Sequence, residues 1–434
     1  MKQKALILLF TFFQSLSIAQ LPNPVLVGYW HNWSDVNAPY IPLDLVDNRY
    51  NVIEVAFAVP TSTSDMTMLF TPDGITTNQF INKIQSVQSQ GKKVLISIGG
   101  ANTSIDLTTT TNKNAFITSM TGIINTYGFD GIDIDIENGN SILAAGGNIS
   151  NPSSIAQINL IDAIKQIMAN YRSNHTSKLL LTMAPETAYV QGGQSTFSGI
   201  WGGYLPIIDG LRDSLDLLQV QLYNSGSMYG IDGVAYTQGS ADFIVAMTEA
   251  LIQGFNTGGG YFFGIPADKI AVGLPACSNA AGGGFTDTAA VSAAIKYIRG
   301  YGPPPGNYIL ANVNGYPTLR GMMTWSVNWD AVNTCGSSWE YANNYQHNFG
   351  TNTSLATITK NDNILIYPNP SHGEFKILNC SKNSTLEISE LKGEVVYFSE
   401  AKEAEQKVSL QDKGMYLLRI ISDEHVTIKK LIVE

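Results

Sequence analysis

The run Asp130-Gly-Ile-Asp133-Ile-Asp135-Ile-Glu137 sets three acids at every second position with an isoleucine before each. In an extended strand successive side chains point to opposite sides, so Asp133, Asp135 and Glu137 share one face and Ile132, Ile134 and Ile136 the other. Residues two apart on a strand lie about 6.6 Å apart, near enough for neighbouring carboxyls to share a proton. Burial and mutual repulsion both disfavour the charged form, so at least one of the three should titrate high and be available as a general acid. Solvated acids on an edge strand would need polar neighbours, which the isoleucines refuse. Asp130 has the parity of the isoleucines and reads as a strand-entry residue with a structural role.

The elements that would hold such acids recur along the chain as short aliphatic runs between helix-compatible stretches. They are Val25 to Trp30, Asn51 to Ala58, Lys93 to Gly100, Gly128 to Glu137, Lys178 to Glu186, Leu215 to Asn224, Ile270 to Ala276 and Gly321 to Asp330. Near-continuous apolar strands alternating with helices mark a parallel sheet buried on both faces, and eight such units close into a (β/α)8 TIM barrel, an α/β fold. An open doubly wound sheet is the alternative, but the first strand leads into Tyr29-Trp-His-Asn-Trp33 instead of a glycine-rich phosphate loop. In a barrel the acids face the interior and Glu137 reaches the C-terminal rim, where barrel enzymes keep their active sites. Trp325 offers a flat apolar face and Met183 an apolar contact near strand ends, with Tyr29 and Phe57 as weaker wall candidates. The aromatics Trp30, Trp33, Tyr189, Trp201 and Trp329 are candidates for further subsites or for packing. His31 has no second histidine or acid at ligand spacing, so no metal is expected, and nothing calls for a cofactor.

At Asp130 to Glu137 the chain resembles glycoside hydrolase family 18, whose signature is Asp-x-x-Asp-x-Asp-x-Glu on the fourth barrel strand. A second motif of that family, Ser-x-Gly-Gly, is present as Ser97-Ile-Gly99-Gly100, and Met183-Ala-Pro, Gln221-Leu-Tyr223-Asn224 and Trp325 stand where the family places sugar-site residues. The resemblance covers roughly residues 25 to 345. It implies a retaining, substrate-assisted hydrolysis of chitin or N-acetylglucosamine oligosaccharides, one of the exceptions to the two-carboxylate scheme. Glu137 would be the acid, Asp135 would hold the 2-acetamido group, Asp133 with Ser97 would take a proton from Asp135, and Tyr223 would donate to the acetamido oxygen. Tyr29, Phe57, Ser97, Gly100, Met183, Gln221, Asn224 and Trp325 would bind substrate. Only Cys277 to Arg320 separates the seventh and eighth strands, too short for the α+β insertion many relatives carry, so a shallow groove and internal cleavage are expected. Two other activities remain: an endo-β-N-acetylglucosaminidase acting on N-glycan cores, and a non-catalytic chitin-binding lectin.

Composition agrees with an exported enzyme working on a neutral polymer, since charged residues make up only 14% and the formal net charge is −10, which argues against nucleic acid. Residues 1–19 join a charged start, an apolar run from Ala5 to Phe13 and Ser17-Ile-Ala19, the pattern of a signal peptide and too short to span about 30 Å of hydrocarbon. A catalytic barrel is expected over 20–350, a polar linker over 351–362, and a small all-β sandwich over 363–434, where apolar and polar residues alternate between turn signals. This tail resembles the C-terminal sorting domain of the type IX secretion system of Bacteroidota, through Tyr367-Pro-Asn-Pro370, Gly373-Glu-Phe375, Leu391-Lys-Gly393-Glu, Gly414-Met-Tyr416 and the terminal Lys429-Lys-Leu-Ile-Val-Glu434. The resemblance implies that machinery as partner and an extracellular or cell-surface destination. A carbohydrate-binding sandwich is the alternative, though no row of tryptophans supports it. Cys277 and Cys335 each follow a barrel strand, so an oxidising compartment would permit a disulfide between their loops.

Overall fold

The computed structural model describes residues 20–137, 142–144, 146–332, 336–350, 364–382, 384–390, 395–421 and 426–434. The chain divides into two compact units, residues 1–348 and 349–434.

The first unit is a TIM barrel of eight parallel strands: β1 (Val25–His31), β2 (Val52–Pro60), β3 (Lys93–Gly99), β4 (Gly131–Asp135), β5 (Leu180–Met183), β6 (Leu217–Leu218), β7 (Ala271–Pro275) and β8 (Gly321–Trp325). Each strand pairs with the next and β8 returns to β1. The ring closes between β6 and β7 through the parallel bridges Leu218↔Ile270 and Gln221↔Gly273. The strands are near-continuous apolar runs because one face meets the barrel interior and the other the helices. Val25, Val27, Val52, Leu95, Leu180, Leu217, Ala271 and Met323 fill the interior. The helix-facing Ile132, Ile134 and Ile136 are equally buried.

Helices α1 (Thr77–Ser89), α2 (Thr110–Tyr127), α3 (Ile155–Asn174), α4 (Leu205–Gly210), α5 (Ala241–Gln253) and α6 (Thr288–Ile298) lie between strands. Their starts follow local sequence: Thr76 and Gln79 form a reciprocal capping box on α1, and Asp287 accepts from the Ala290 N–H on α6. Four sequence boundaries shift for local reasons. Gly128 is not strand but the left-handed C-cap of α2, at φ +71°. The eighth run stops at Trp325 because Ser326 caps a short helix, α7 (Val327–Ala331). The fifth and sixth ladders are shorter than their apolar runs; Pro185 has no N–H to donate, and pairing resumes only at Glu186↔Gln221. Among the described residues no strand lies between Cys277 and Arg320. A further helix, α8 (Glu340–Phe349), follows.

The second unit has a three-stranded sheet (Leu365–Tyr367, Glu374–Leu378, Glu405–Ser409) and a four-stranded one ordered Val395–Glu400, Thr385–Glu390, Gly414–Ile421, Val426–Val433. Phe375, Ile377 and Val408 of the first share a core with Leu386, Ile388, Leu418 and Ile420 of the second. The strand Glu405–Ser409 is not legible in the sequence: it is an edge strand, and Val408 is the only one of its five residues that is buried. Cys277 is disulfide-bonded and Cys380 is free and buried; Cys335, the foreseen partner of Cys277, lies outside the described residues, as does the segment read as a signal peptide.

Candidate active site

Alternation on β4 sends Asp133 and Asp135 into the barrel, and Glu137 follows at its C-terminal mouth. Asp133 is fully buried: its Oδ2 accepts from the Tyr29 hydroxyl at 2.7 Å and Ser97 Oγ at 2.6 Å, its Oδ1 from Thr182 Oγ1 at 2.7 Å. One level higher, Gln221 Nε2 donates to Asp135 Oδ1 at 2.8 Å and to Glu137 Oε1 at 3.1 Å. One donor reaching both carboxyls places those two oxygens within about 6 Å of each other. Burial, then the charges of Glu137 and Asp133, hold Asp135 well above the usual carboxyl range. Burial raises Glu137 too, but donation from Gln221 and Asp135 opposes it. Two tyrosines hold the end of the strand: Tyr204 bonds the Ile136 N–H at 2.7 Å, and Tyr189 donates to the Glu137 carbonyl at 2.6 Å.

Above the acids lies a cleft of about 350 Å³. Glu137, Gln221, Tyr223 and Asn224 line it, with Phe57, Trp33 and Trp325 as aromatic walls and Gly99 to Thr103 on one side. Phe57 and Trp325 stack nearly parallel, 11° apart at 6.0 Å between centroids. Gly100 is required by that wall: a Cβ there would lie 2.7 Å from the Phe57 ring, and its φ is +74°. Burial and the Glu137 charge push the Tyr223 hydroxyl well above its usual range, keeping it a donor. Asp130 stays outside the site, accepting from Gln88 Nε2 and the Val94 N–H at 2.9 Å each.

Not every candidate residue reaches the cleft. Tyr29 and Ser97 lie beneath it, bonded to Asp133. Met183 is fully buried and pairs with Ile134, so it faces the helices; it is Thr182, one residue earlier, that turns inward. Trp30 is buried against Phe80, and Tyr189 is buried beneath Glu137, so neither is a rim aromatic. Trp201 and Trp329 do not line the cleft.

Residues not predicted as part of the site also stand at it. Glu54, on β2, is fully buried among inward-facing Val52 and Ala56, and parity with them was the available clue. His31 stacks on Trp33, 7° from parallel at 4.5 Å, with neither ring nitrogen partnered among the described residues, and burial lowers it to about 4. Burial, then the nearby Glu137 charge, raises Glu186 to about 7.

The family profile of glycosyl hydrolases family 18 matches residues 25–416, a span that runs beyond the barrel unit. Chitinase D of Niallia circulans is 48% identical over 314 residues, covering 70% of this chain and 58% of that protein. Chitinase Chi52 of Paenibacillus xylanexedens is 47% identical over 313 residues, again covering 70% and 58%. The chain thus spans little more than half the length of these relatives. The crystal structure of a family GH18 chitinase from Chromobacterium violaceum has TM-score 0.67 and 36% identity, covering 76% of this chain and 85% of that one.

Proposed function

The chain belongs to glycosyl hydrolases family 18, and on that premise we propose that it is a chitinase. It would cleave β-1,4 bonds between N-acetylglucosamine units with retention, the substrate's own 2-acetamido group serving as nucleophile. The observation that carries this reading is the bridging of Asp135 and Glu137 by one donor, Gln221 Nε2, where Glu137 and Gln221 line the cleft. Carboxyls bridged by one nitrogen stand closer than the about 6.5–9.5 Å across which an inverting pair holds its water. Glu137, opening on the cleft, would protonate the glycosidic oxygen and then activate water. Asp135, having given its proton to Glu137, would hold the acetamido group as a carboxylate and offset the positive charge forming on it. Tyr223 would donate to the acetamido oxygen, Trp325 and Phe57 would pack the ring, and Asp133, fed by Ser97 and Tyr29, would stabilise charge below. Gln221 would orient both acids, and Asn224 and Gly100 would shape the cleft walls. The short connection between β7 and β8 supports an open groove and internal cleavage.

The test is hydrolysis of hexameric N-acetylglucosamine beside a high-mannose glycoprotein. Cleavage of the hexamer with β-anomer released first supports the proposal. Cleavage of the glycoprotein alone would make it an endo-β-N-acetylglucosaminidase, and binding without cleavage of either would make it a lectin.

We further propose that residues 1–19 direct export and that residues 363–434 engage type IX secretion machinery, giving an extracellular or surface location. The alternating strands of the second unit and the motifs at its two ends support this. A reporter fused to residues 351–434 should reach the medium or cell surface in a Bacteroidota host and stay inside when those residues are omitted. Retention of both forms would exclude the sorting role.

A further inference from the structure

Glu54 is a fully buried acid that neither the β4 motif nor the cleft accounts for. Its two oxygens accept from Gln219 Nε2 at 2.6 and 2.7 Å, and its Oε1 lies 2.8 Å from Thr182 Oγ1. The same Thr182 oxygen is 2.7 Å from Asp133 Oδ1. A threonine hydroxyl has one proton to give and otherwise accepts, so one of the two carboxyls must donate to it. Asp133 already takes the hydroxyls of Ser97 and Tyr29 on its other oxygen, an arrangement that favours its charged form. Glu54 is then the proton carrier, donating to Thr182, which donates to Asp133. The titratable groups facing Glu54 are Tyr29 on β1 and Asp133 and Asp135 on β4, with Thr182 and Gln219 completing the shell, and none of these is cationic.

We propose that Glu54 is a positioning residue for the hydrolytic reaction: it shares one proton with Asp133 through Thr182 and thereby sets the charge standing beneath Asp135. This rests on the proposed use of Asp135 and Glu137 as the working pair. The transfer is balanced. The Glu54 proton moves to Thr182 Oγ1 as the threonine's own proton moves to Asp133 Oδ1, so two O–H bonds break, two form, and the negative charge passes from Asp133 to Glu54. With Asp133 charged, Asp135 holds its proton firmly; with Asp133 neutral, Asp135 releases it more readily. The energetics of the groups agree. Burial and the Asp133 charge hold Glu54 well above the usual carboxyl range, whereas hydroxyl donors offset burial at Asp133.

Glu54→Gln keeps the size and the donor to Thr182 but cannot take the charge, which then stays on Asp133. Its kcat should fall by about tenfold, less than the 10²–10⁴-fold worth of a group that transfers the proton to substrate directly. KM should stay within about twofold, and the alkaline limb of kcat/KM should move up by about one pH unit as Asp135 keeps its proton longer. Thr182→Val cuts the same link from the other side and should move the limb in the same direction; it decides the matter if Glu54→Gln does not fold by circular dichroism. A wild-type alkaline limb in the folded variant overturns the proposal. Infrared spectroscopy at neutral pH reads the proton without turnover: a carboxylic-acid C=O band of the wild type should vanish in Glu54→Gln, and an unchanged spectrum also overturns it. If the wild-type chain cleaves no N-acetylglucosamine oligomer, the chitinase reading fails while the infrared comparison still decides where the proton sits.

Discussion

Glu137 is the only acid among the described residues lining the cleft, and its carboxyl accepts from Gln221. Glu137→Gln keeps the size and removes the proton, so turnover should fall by at least about 10²–10⁴-fold while calorimetry still detects oligosaccharide binding. Donation from Gln221 favours the charged form of each acid, so its loss must raise both. Gln221→Leu should accordingly move the alkaline limb of kcat/KM to higher pH, together with a loss of kcat from misoriented carboxyls, read in a pH–rate profile. The acids of β4 were legible because isoleucines interrupt them and assign each a face. Met183 was misplaced for the converse reason: it was chosen by residue type, and strand parity gives the inward position to Thr182. Glu54 passed unread because a single acid in an apolar strand has no partner in the sequence; its partners Thr182 and Gln219 are more than a hundred residues away.

Strands β3 and β4 approach too closely for any side chain at Gly99, where a Cβ would lie 2.3 Å from the Asp135 carbonyl oxygen. The Gly100 N–H also bonds that carbonyl, at 2.6 Å. Gly99 has φ +104°, so Gly99→Ala adds left-handed strain of about 1–2 kcal/mol to a backbone clash that displaces Asp135. Lower thermal stability and lower kcat should appear together. Gly74 has φ +68° but nothing near it, so Gly74→Ala should cost about 1 kcal/mol in stability and leave kcat unchanged, separating strain from displacement. At this level the eight runs were readable because both faces of a barrel strand are apolar. Their ends were not, because a capping serine at Ser326 and the missing N–H of Pro185 act on single hydrogen bonds that a hydrophobic pattern does not register.

The barrel holds Glu54 and Asp135 well above the usual carboxyl range and lifts Asp330 to about 6, each chiefly by burial. The unfolded chain gives those protons up near pH 4, so above that pH it binds fewer protons than the folded chain and stability must fall as pH rises. Each such acid costs about 1.4 kcal/mol per pH unit until its own folded pKa is reached. His31 acts oppositely, but only below about 6.5, since it is neutral in both states above that. Above about pH 6.5, Tm should therefore decline as the pH rises, and calorimetry on Glu54→Gln should show a shallower slope. The two-unit organisation itself was announced by the polar stretch after Gly350 and the change to alternating strands. Buried in the core of the small unit, Cys380 is the free thiol among the described residues, while Cys277 is occupied by its disulfide. A thiol reagent can reach Cys380 only when that unit opens, so the labelling rate of the native chain is a clock for the breathing of one unit, with no probe added.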